Sequence, residues 1–230
     1  PGGYIWMILE PIAGIALLSA VFAAFLRTPP LGHNFPYFYA SGLLPFTFYN
    51  AITAQIAGSI RFSSALLSYP AVTFVDALLA RFLLNALTQM LVFVLVMSGI
   101  VVAFNLYPLI DWPSIFLGLA MLFSLTLSIG VANSYLQTAF PIWERLWSVT
   151  NRPMMILSGV LFLPESVPPG LRDWFMLNPL PHITSQFRKG FFATYEGVYI
   201  DPIYVFIFSL VVGMFGLLFL LKNHKDIMLK

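Results

Sequence analysis

Three ionisable side chains lie within long apolar stretches of the sequence and are the first candidates for chemistry. Glu10 falls inside the first apolar run, and Asp76 and Arg81 stand at the head of a later one. Charged groups are costly at membrane depth, so they commonly mark ion pathways, proton relays or substrate sites. An ion or proton relay needs several acidic groups within mutual reach, and the sequence predicts no such cluster. An ion-coupled secondary transporter is therefore only an alternative interpretation.

Two interpretations are open for Glu10, which is followed by Pro11. Glu10 lies either at the inner membrane boundary, beneath a cytoplasmic segment upstream of Pro1, or on a pore or helix contact in the substrate pathway. Asp76 and Arg81 are five residues apart, about 140° around a helix axis, so a direct pair is not expected. Each is expected to have another partner, either at its own helix boundary or on cytoplasmic machinery.

Motifs of nucleotide hydrolysis and hydrolytic catalysis are absent from the sequence. No G-x-x-x-x-G-K-[ST] motif occurs, so the chain does not bind ATP through a P-loop, and neither H-E-x-x-H nor G-x-S-x-G is present. The absence of cysteine excludes thiolate catalysis, disulfides and cysteine-bound zinc. We therefore expect no catalytic residue, no metal site and no cofactor bound by this chain.

The stretch 58–74 separates two apolar runs and is amphipathic. On a short helix, four apolar residues at three- or four-residue spacing form one stripe suited to a groove on another protein: Phe62, Ala65, Leu66 and Tyr69. Together with Arg61, Asp76 and Arg81, they are candidates for contact with a cytoplasmic partner. The alternative is a helix that lies on the lipid interface.

Aromatic residues crowd the start of the second apolar run. Four of them share one helical face by the same spacing rule: Phe35, Tyr39, Phe46 and Tyr49. Aromatic rings, with the polar tip of tyrosine, suit stacking against the CH faces of sugars, so this face is a candidate sugar path. The alternative is an interfacial aromatic belt followed by ordinary helix packing.

Composition indicates what kind of elements position these residues. Of 230 residues, 60% are hydrophobic and 9% are charged, whereas a soluble domain has about 25% charged residues. The sequence is therefore predicted to be an all-α polytopic membrane protein, a single transmembrane domain over 1–230. Its net charge of +2 provides no basic patch for nucleic acid.

Six windows are predicted to cross the roughly 30 Å of hydrocarbon in a bilayer. They cover 4–26, 37–60, 75–104, 113–140, 146–163 and 202–221, and the fifth needs the polar turn 148–152 to reach across. With both termini cytoplasmic, the inner side holds seven Lys and Arg residues and the outer side four, which favours that orientation. The inner set is Arg61, Arg81, Arg145, Arg152, Lys222, Lys225 and Lys230, and the outer set is Arg27, Arg172, Arg188 and Lys189.

The stretch 164–201, between the fifth and sixth windows, is cut by five prolines and is too apolar for a solvated linker. Broken helices at membrane depth need protein or a water-filled cavity to satisfy their polar groups. We predict a re-entrant outer helical region here, with a folded loop on the interface as the alternative. If Arg188 and Lys189 face the exit of a pore, they attract an anionic glycan or lipid phosphate; otherwise they bind outer headgroups.

Three stretches together resemble the permeases of type-2 ABC exporters, in the branch that exports capsular polysaccharide. The first is GYIW at 3–6 with LEP at 9–11, and the second is SALLSYPAVTFVDALLAR at 64–81. The third resembles the external region of that family: LSGV at 157–160, PESVP at 164–168, NPL at 178–180, His182, Arg188 and GFF at 190–192. Ser185 and Asn85 stand where the family often has acids, so ion pairs at those positions are not expected.

The resemblance implies a homodimeric permease with six spans per chain and two copies of a separate ATPase, which binds ATP and magnesium. The permease itself is then not an enzyme. Closure of the ATPase would press on the coupling segment 58–74, and a lipid-linked capsular or other cell-surface polysaccharide would pass between the two copies across the bacterial inner membrane. Periplasmic export proteins are further expected partners. A non-transporting membrane scaffold is the remaining alternative.

Overall fold

The computed structural model describes residues 3–63, 67, 69 and 71–228, and these residues form helices and connections without a strand. The predicted all-α fold class is confirmed. The elements, in chain order, are α1 (Gly3–Phe25), α2 (Phe35–Ala57), α3 (Ser59–Phe62), α4 (Phe74–Ala103), α5 (Trp112–Ala139), α6 (Trp143–Leu157), a 3-10 turn (Pro164–Ser166), α7 (Pro169–Met176), α8 (Pro179–Phe191) and α9 (Pro202–Met228).

Four helical stretches within the described residues are long and apolar enough to cross a membrane. They are Ile5–Phe25 in α1, Phe74–Ala103 in α4, Trp112–Ala139 in α5 and Pro202–Lys222 in α9. The two other predicted windows correspond to α2 and α6, which differ from these four in composition or in length. α2 has 23 residues but a more polar composition, whereas α6 has only 15 residues and ends at Leu157.

α2 lies at the centre of the bundle, with α1, α4, α5 and α8 packed around it. Most of its side chains are buried, so protein rather than lipid surrounds it, and it tolerates Ser, Thr and Tyr where a lipid-facing helix would carry aliphatic residues. Its closest approach to α5 is at Gly130, where an added Cβ would lie 2.7 Å from the Cβ of Ile56. Only glycine fits this contact.

α5 and α9 pack together through small residues. A Cβ added at Gly213 would lie 3.0 Å from the Ser128 hydroxyl, and one added at Gly216 would lie 2.8 Å from the backbone of Ala132. Small side chains on both helices let the two backbones approach closely, which is a common packing mode in membranes.

The stretch 164–191 consists of short helical pieces, and each begins at a proline: Pro164, Pro169 and Pro179. Proline is favoured at the first position of a helix, because its missing N–H has no intrahelical partner there and its φ angle is already helical. α6 ends before Gly159, whose φ of +74° is in the left-handed region. That glycine turns the chain away from α6 toward these short helices.

Candidate functional site

A cavity of about 540 Å³ lies among α1, α2, α4 and α6. Its lining combines apolar and polar side chains: Met7, Glu10, Pro11, Gly14, Leu43, Phe46, Thr47, Asn50, Ala51, Gln89 and Met155. The structure therefore brings together two residues of the predicted substrate pathway, Glu10 and Phe46. Three uncharged polar side chains, from Thr47, Asn50 and Gln89, share the same cavity.

The other predicted aromatic residues lie outside this cavity. Tyr39 and Tyr49 are buried, and the Tyr39 ring packs 5.2 Å from that of Phe22. The half-buried Phe35 ring stacks on Tyr39 with the centroids 6.5 Å apart. These contacts match the helix-packing alternative for three of the four aromatic residues, and Phe46 alone of the four lines the cavity.

Amide side chains give the cavity a polar wall that the sequence analysis did not single out. Asn151 of α6 donates to the Oδ1 of Asn50 at 2.6 Å. Gln89 is only 8% exposed, although it lies in one of the most apolar helices. The sequence did contain one signal for this polar wall, the glutamine inside a long apolar window. An amide in such a window needs a hydrogen-bond partner.

Arg188 lies in the interior of the protein and is completely buried. Its guanidinium donates to the carbonyl oxygens of Gly159 at 2.6 Å, Val160 at 2.8 Å and Phe162 at 3.1 Å. The guanidinium carbon lies 4.3 Å from the ring centroid of Phe38 on α2. Burial lowers the pKa of Arg188 to about 10.

An electrostatic role for Arg188 at an exit requires a guanidinium that faces the exit, and the described structure does not meet this condition. The three carbonyls belong to the turn after α6, which has no helical partners for them. The planar guanidinium, with its fixed fork of donors, satisfies them together. Lys189, the next residue, is exposed, so it alone of the pair can meet a solute or a headgroup.

Further hydrogen bonds attach α8 to its neighbours. The Asn178 side chain caps α8 at the N–H of Leu180 and donates to the Leu157 carbonyl at 2.8 Å. The Thr184 hydroxyl donates to the Ser158 carbonyl at 2.7 Å. α8 is therefore fixed to the end of α6 by the Asn178 and Thr184 side chains as well as by Arg188.

His182 connects α8 to α7 and α9. Its Nε2 lies 2.9 Å from the carbonyl oxygen of Met176, and its Nδ1 accepts from the backbone N–H of Asp201 at 3.0 Å. These contacts require a neutral ring with the proton on Nε2. Burial lowers the pKa of His182, and the Met176 hydrogen bond and the Asp201 charge oppose that shift.

At the other end of the bundle, Asp76 closes the first turn of α4. Its carboxylate accepts from the Thr73 N–H at 2.8 Å and from the Thr73 hydroxyl at 2.7 Å, which together with the N-cap bond forms a capping box. The prediction that Asp76 and Arg81 have separate partners is confirmed. Arg81 donates to the Gln55 side chain at 3.0 Å, and its guanidinium carbon lies 3.7 Å from the ring centroid of Phe62.

The remaining coupling candidates that the structure describes are exposed. Phe62 is 77% exposed and Tyr69 is 64% exposed. Arg61 forms an exposed ion pair with Glu144 at the start of α6, with 3.5 Å between the charged atoms. Ala65 and Leu66 lie outside the described residues. The end of the bundle formed by α3 and the starts of α4 and α6 thus presents aromatic and charged side chains to its surroundings.

A second cavity, of about 400 Å³, lies between α4 and α5 and is also lined by residues of α2 and α8. Its lining is almost wholly carbon and includes Met90, Phe93, Trp112 and Phe187. It offers almost no hydrogen-bonding group to a polar solute. Over the described residues, no group of three or more His, Cys, Asp and Glu side chains is arranged to hold a metal ion.

Comparison with known proteins identifies relatives along nearly the whole chain. The chain is 28% identical to the polysialic acid transport protein KpsM of Escherichia coli, over 99% of this chain and 88% of that protein. It is 24% identical to the capsule polysaccharide export inner-membrane protein CtrC of Neisseria meningitidis serogroup B, over 98% and 85%. It is 22% identical to the capsule polysaccharide export inner-membrane protein BexB of Haemophilus influenzae, over 85% and 76%.

A family model matches most of the chain. Residues 1–192 match the model of the ABC-2 type transporter, and this match includes α1 to α8 and thus the cavity, the buried Arg188 and the exposed aromatic end. The family resemblance predicted from the three motif stretches is confirmed. The chain belongs to the ABC-2 type transporter family.

Proposed function

We propose that this chain is the permease subunit of an ATP-driven exporter that moves lipid-linked capsular or other cell-surface polysaccharide across the bacterial inner membrane. The observation that carries the proposal is the alignment of nearly the whole chain with inner-membrane proteins named for capsule polysaccharide export. The cavity with its carboxylate, amides and aromatic ring suits a sugar chain. Membership of the ABC-2 family favours this function over the ion-coupled and scaffold alternatives.

The proposed topology has six spans with both termini in the cytoplasm. α2 extends about 34 Å at 1.5 Å per residue, long enough to cross, and its polar side chains are covered by other helices. The remaining span is formed by α6 together with the following turn, whose carbonyls accept hydrogen bonds from Arg188. Four helices of suitable length and apolarity support the rest of this topology, and the Lys and Arg distribution supports its orientation.

A second copy of the chain is proposed to close the pathway. α6 and the residue before it expose apolar side chains at alternating four- and three-residue steps, which is the spacing of a helix-packing seam: Ile142, Leu146, Val149, Pro153 and Ile156. Glu10 is exposed at the side of the cavity, and its carboxylate forms no ion pair with a described residue. A neighbouring copy or a water-filled pore at this face relieves the cost of placing that charge in lipid.

The separate ATPase, with its bound ATP and magnesium, is proposed to dock at the exposed end formed by α3 and the starts of α4 and α6. Phe62 and Tyr69 supply the apolar contacts there, and Arg61, Asp76 and Arg81 lie beside them. Exposed aromatic and arginine side chains are frequent energetic centres of protein interfaces. The outer region, proposed to be re-entrant, forms the exit and the contact surface for periplasmic export proteins.

A purification experiment tests the proposal. The tagged chain is isolated from its native membranes in mild detergent, and the eluate is assayed for an ATPase subunit and for bound glycolipid. We expect an ATPase at equal stoichiometry and attached glycan. In parallel, deletion of the chain is expected to abolish surface polysaccharide, and re-expression to restore it. A folded dimer without an ATPase, together with normal surface polysaccharide in the deletion strain, would refute the proposal.

A further inference from the structure

Gln89 is a buried amide in one of the candidate membrane-spanning helices. It lies in α4, more than nine-tenths buried, and it lines the cavity shared by α1, α2, α4 and α6. Its side-chain amide makes no hydrogen bond to any other described residue. An amide that is removed from lipid but left without a protein partner costs free energy unless a solute or water supplies the missing hydrogen bonds.

Asn50 presents a second amide to the same cavity in a fixed orientation. Its Oδ1 accepts the hydrogen bond from Asn151 at 2.6 Å, so its two N–H groups are left as donors. One side of the cavity thus carries donors from Asn50, while the Gln89 amide provides both a donor and an acceptor.

Glu10 supplies an acceptor-only group at the cavity edge. Its carboxylate pairs with no cationic side chain within the described part of the chain. Carboxylates accept hydrogen bonds from adjacent hydroxyls, and Phe46 provides an apolar surface in the same cavity. A sugar has two kinds of surface, hydroxyl edges and CH faces. The hydrogen-bond donors and acceptors of this cavity match the hydroxyl edges, and the aromatic ring matches a CH face.

We propose that Gln89, Asn50 and Glu10 form a hydrogen-bonding site for the hydroxyl groups of a passing sugar unit, with Phe46 as its apolar wall. This inference rests on the proposed function, and it names the residues of the permease that contact the glycan. The apolar cavity between α4 and α5 exposes almost no polar atom, so it offers no comparable set of groups.

Thiol labelling in the assembled transporter tests the site directly. The chain has no cysteine, so a Gln89→Cys or Asn50→Cys variant carries one thiol in this chain. Each variant is expressed with its ATPase, in cells that make the polysaccharide and in cells whose glycan synthesis is deleted. Membranes are treated with a small water-soluble methanethiosulfonate reagent, and modification of this chain is measured. Gln137→Cys, near the end of α5 and outside the cavity lining, is the matched control.

We expect both cavity thiols to react, and to react at least about fivefold more slowly when glycan is present, while Gln137→Cys is insensitive to glycan. A Gln89→Leu variant is expected to slow export about fivefold, as for the loss of one neutral hydrogen bond, and Gln89→Asn to restore part of it. Gln137→Leu should export at the rate of the original chain.

Three results overturn the inference. Cavity thiols that react equally with and without glycan, in variants that still export, show a hydrated cavity that the sugar does not contact. Cavity thiols that never react in exporting cells show a sealed cavity. If the unmodified chain fails to restore export to a deletion strain, the proposed function fails first and this site with it.

Discussion

The two ends of the helical bundle differ in how their side chains find partners. At the end that contains α8, Arg188, His182 and Asn178 direct almost all of their polar atoms to backbone groups of neighbouring segments. At the opposite end, Phe62 and Tyr69 are exposed, and the ion pair of Arg61 lies at the surface. The first end is held together by contacts to the backbone, whereas the opposite end carries exposed aromatic and charged side chains of the types found in docking surfaces.

This difference separates two kinds of arginine. Arg188 is a structural residue that organises a turn, whereas Arg61 and Arg81 lie where a partner protein can reach them. Substitutions at the end that contains α8 should therefore act mainly through folding. Substitutions at the opposite end should act mainly through assembly.

The largest effect is expected for Arg188→Leu. The change leaves the carbonyls of Gly159, Val160 and Phe162 without their donor, and a buried acceptor without a partner costs about 1–3 kcal/mol. We expect a loss of at least about 3 kcal/mol and little folded protein. The measurement is the fraction of monodisperse protein after heating in detergent, by fluorescence-detected size-exclusion chromatography.

Arg188→Lys sharpens this test, because lysine keeps the charge but lacks the planar fork of donors. It should recover only part of the lost stability. The adjacent Lys189→Gln is the control, and its stability should stay within about 0.5 kcal/mol of the original chain, since Lys189 is exposed. Equal stability of Arg188→Leu and Lys189→Gln would contradict the structural role of Arg188.

A large effect on assembly is expected for Phe62→Ala. Truncation of an exposed aromatic at the centre of an interface commonly costs about 2 kcal/mol of binding, or roughly thirtyfold in affinity. The stability of the isolated chain should fall by less than about 1 kcal/mol, the value of an exposed cation–π contact such as that with Arg81. Co-purification of the ATPase and thermal stability are measured on the same sample.

Tyr107→Ala is the matched control for Phe62→Ala, because Tyr107 is also an exposed aromatic residue but lies beyond the other end of α4. ATPase binding should be unchanged in this variant. If both variants lose the ATPase equally, the contrast between the two ends of the bundle is wrong.

A moderate, pH-dependent effect is expected at His182. Its pKa in the folded protein is lowered from the ordinary value of 6.5, so protonation is easier in the unfolded chain. The stability contributed by the neutral ring is present above that value and is lost as the pH falls below it. Asp201 and Tyr204 face the ring, and the Asp201 charge reduces the shift without reversing it.

The His182 prediction is measured as the difference in thermal stability between pH 7.5 and pH 5.5. His182→Gln retains hydrogen-bonding groups but cannot take up a proton in this range, so it should lose less stability on acidification than the original chain. An equal loss in both proteins would assign the pH dependence to other groups.

The smallest effect is expected for the ion pair between Arg61 and Glu144, because both side chains are largely exposed and such pairs often contribute nothing measurable. A double-mutant cycle with Arg61→Gln and Glu144→Gln should give a coupling free energy near zero in the isolated chain. A clear coupling would show that this end of the bundle is also held together internally.

The sequence allowed the helices to be predicted better than the partners of individual side chains. The length of the apolar windows was enough to predict α1, α4, α5 and α9. The 140° separation of Asp76 and Arg81 on a helix was enough to exclude a direct pair. The burial of Arg188 could not be predicted, because its partners are carbonyls of a turn some 26 to 29 residues earlier in the chain, and backbone groups leave no mark in a sequence. The cavity was predicted only in part, because Gln89 and Asn50 meet through the packing of separate helices.

The position of α2 has a mechanical consequence. α2 passes through Gly58, which has right-handed helical φ and ψ, directly into α3, and at its other end Phe38 lies against the guanidinium of Arg188. α2, about 34 Å long, thus joins the exposed aromatic end to the turn that Arg188 holds. In the proposed complex, a displacement of α3 by the ATPase would be carried along α2 to the turn that Arg188 holds.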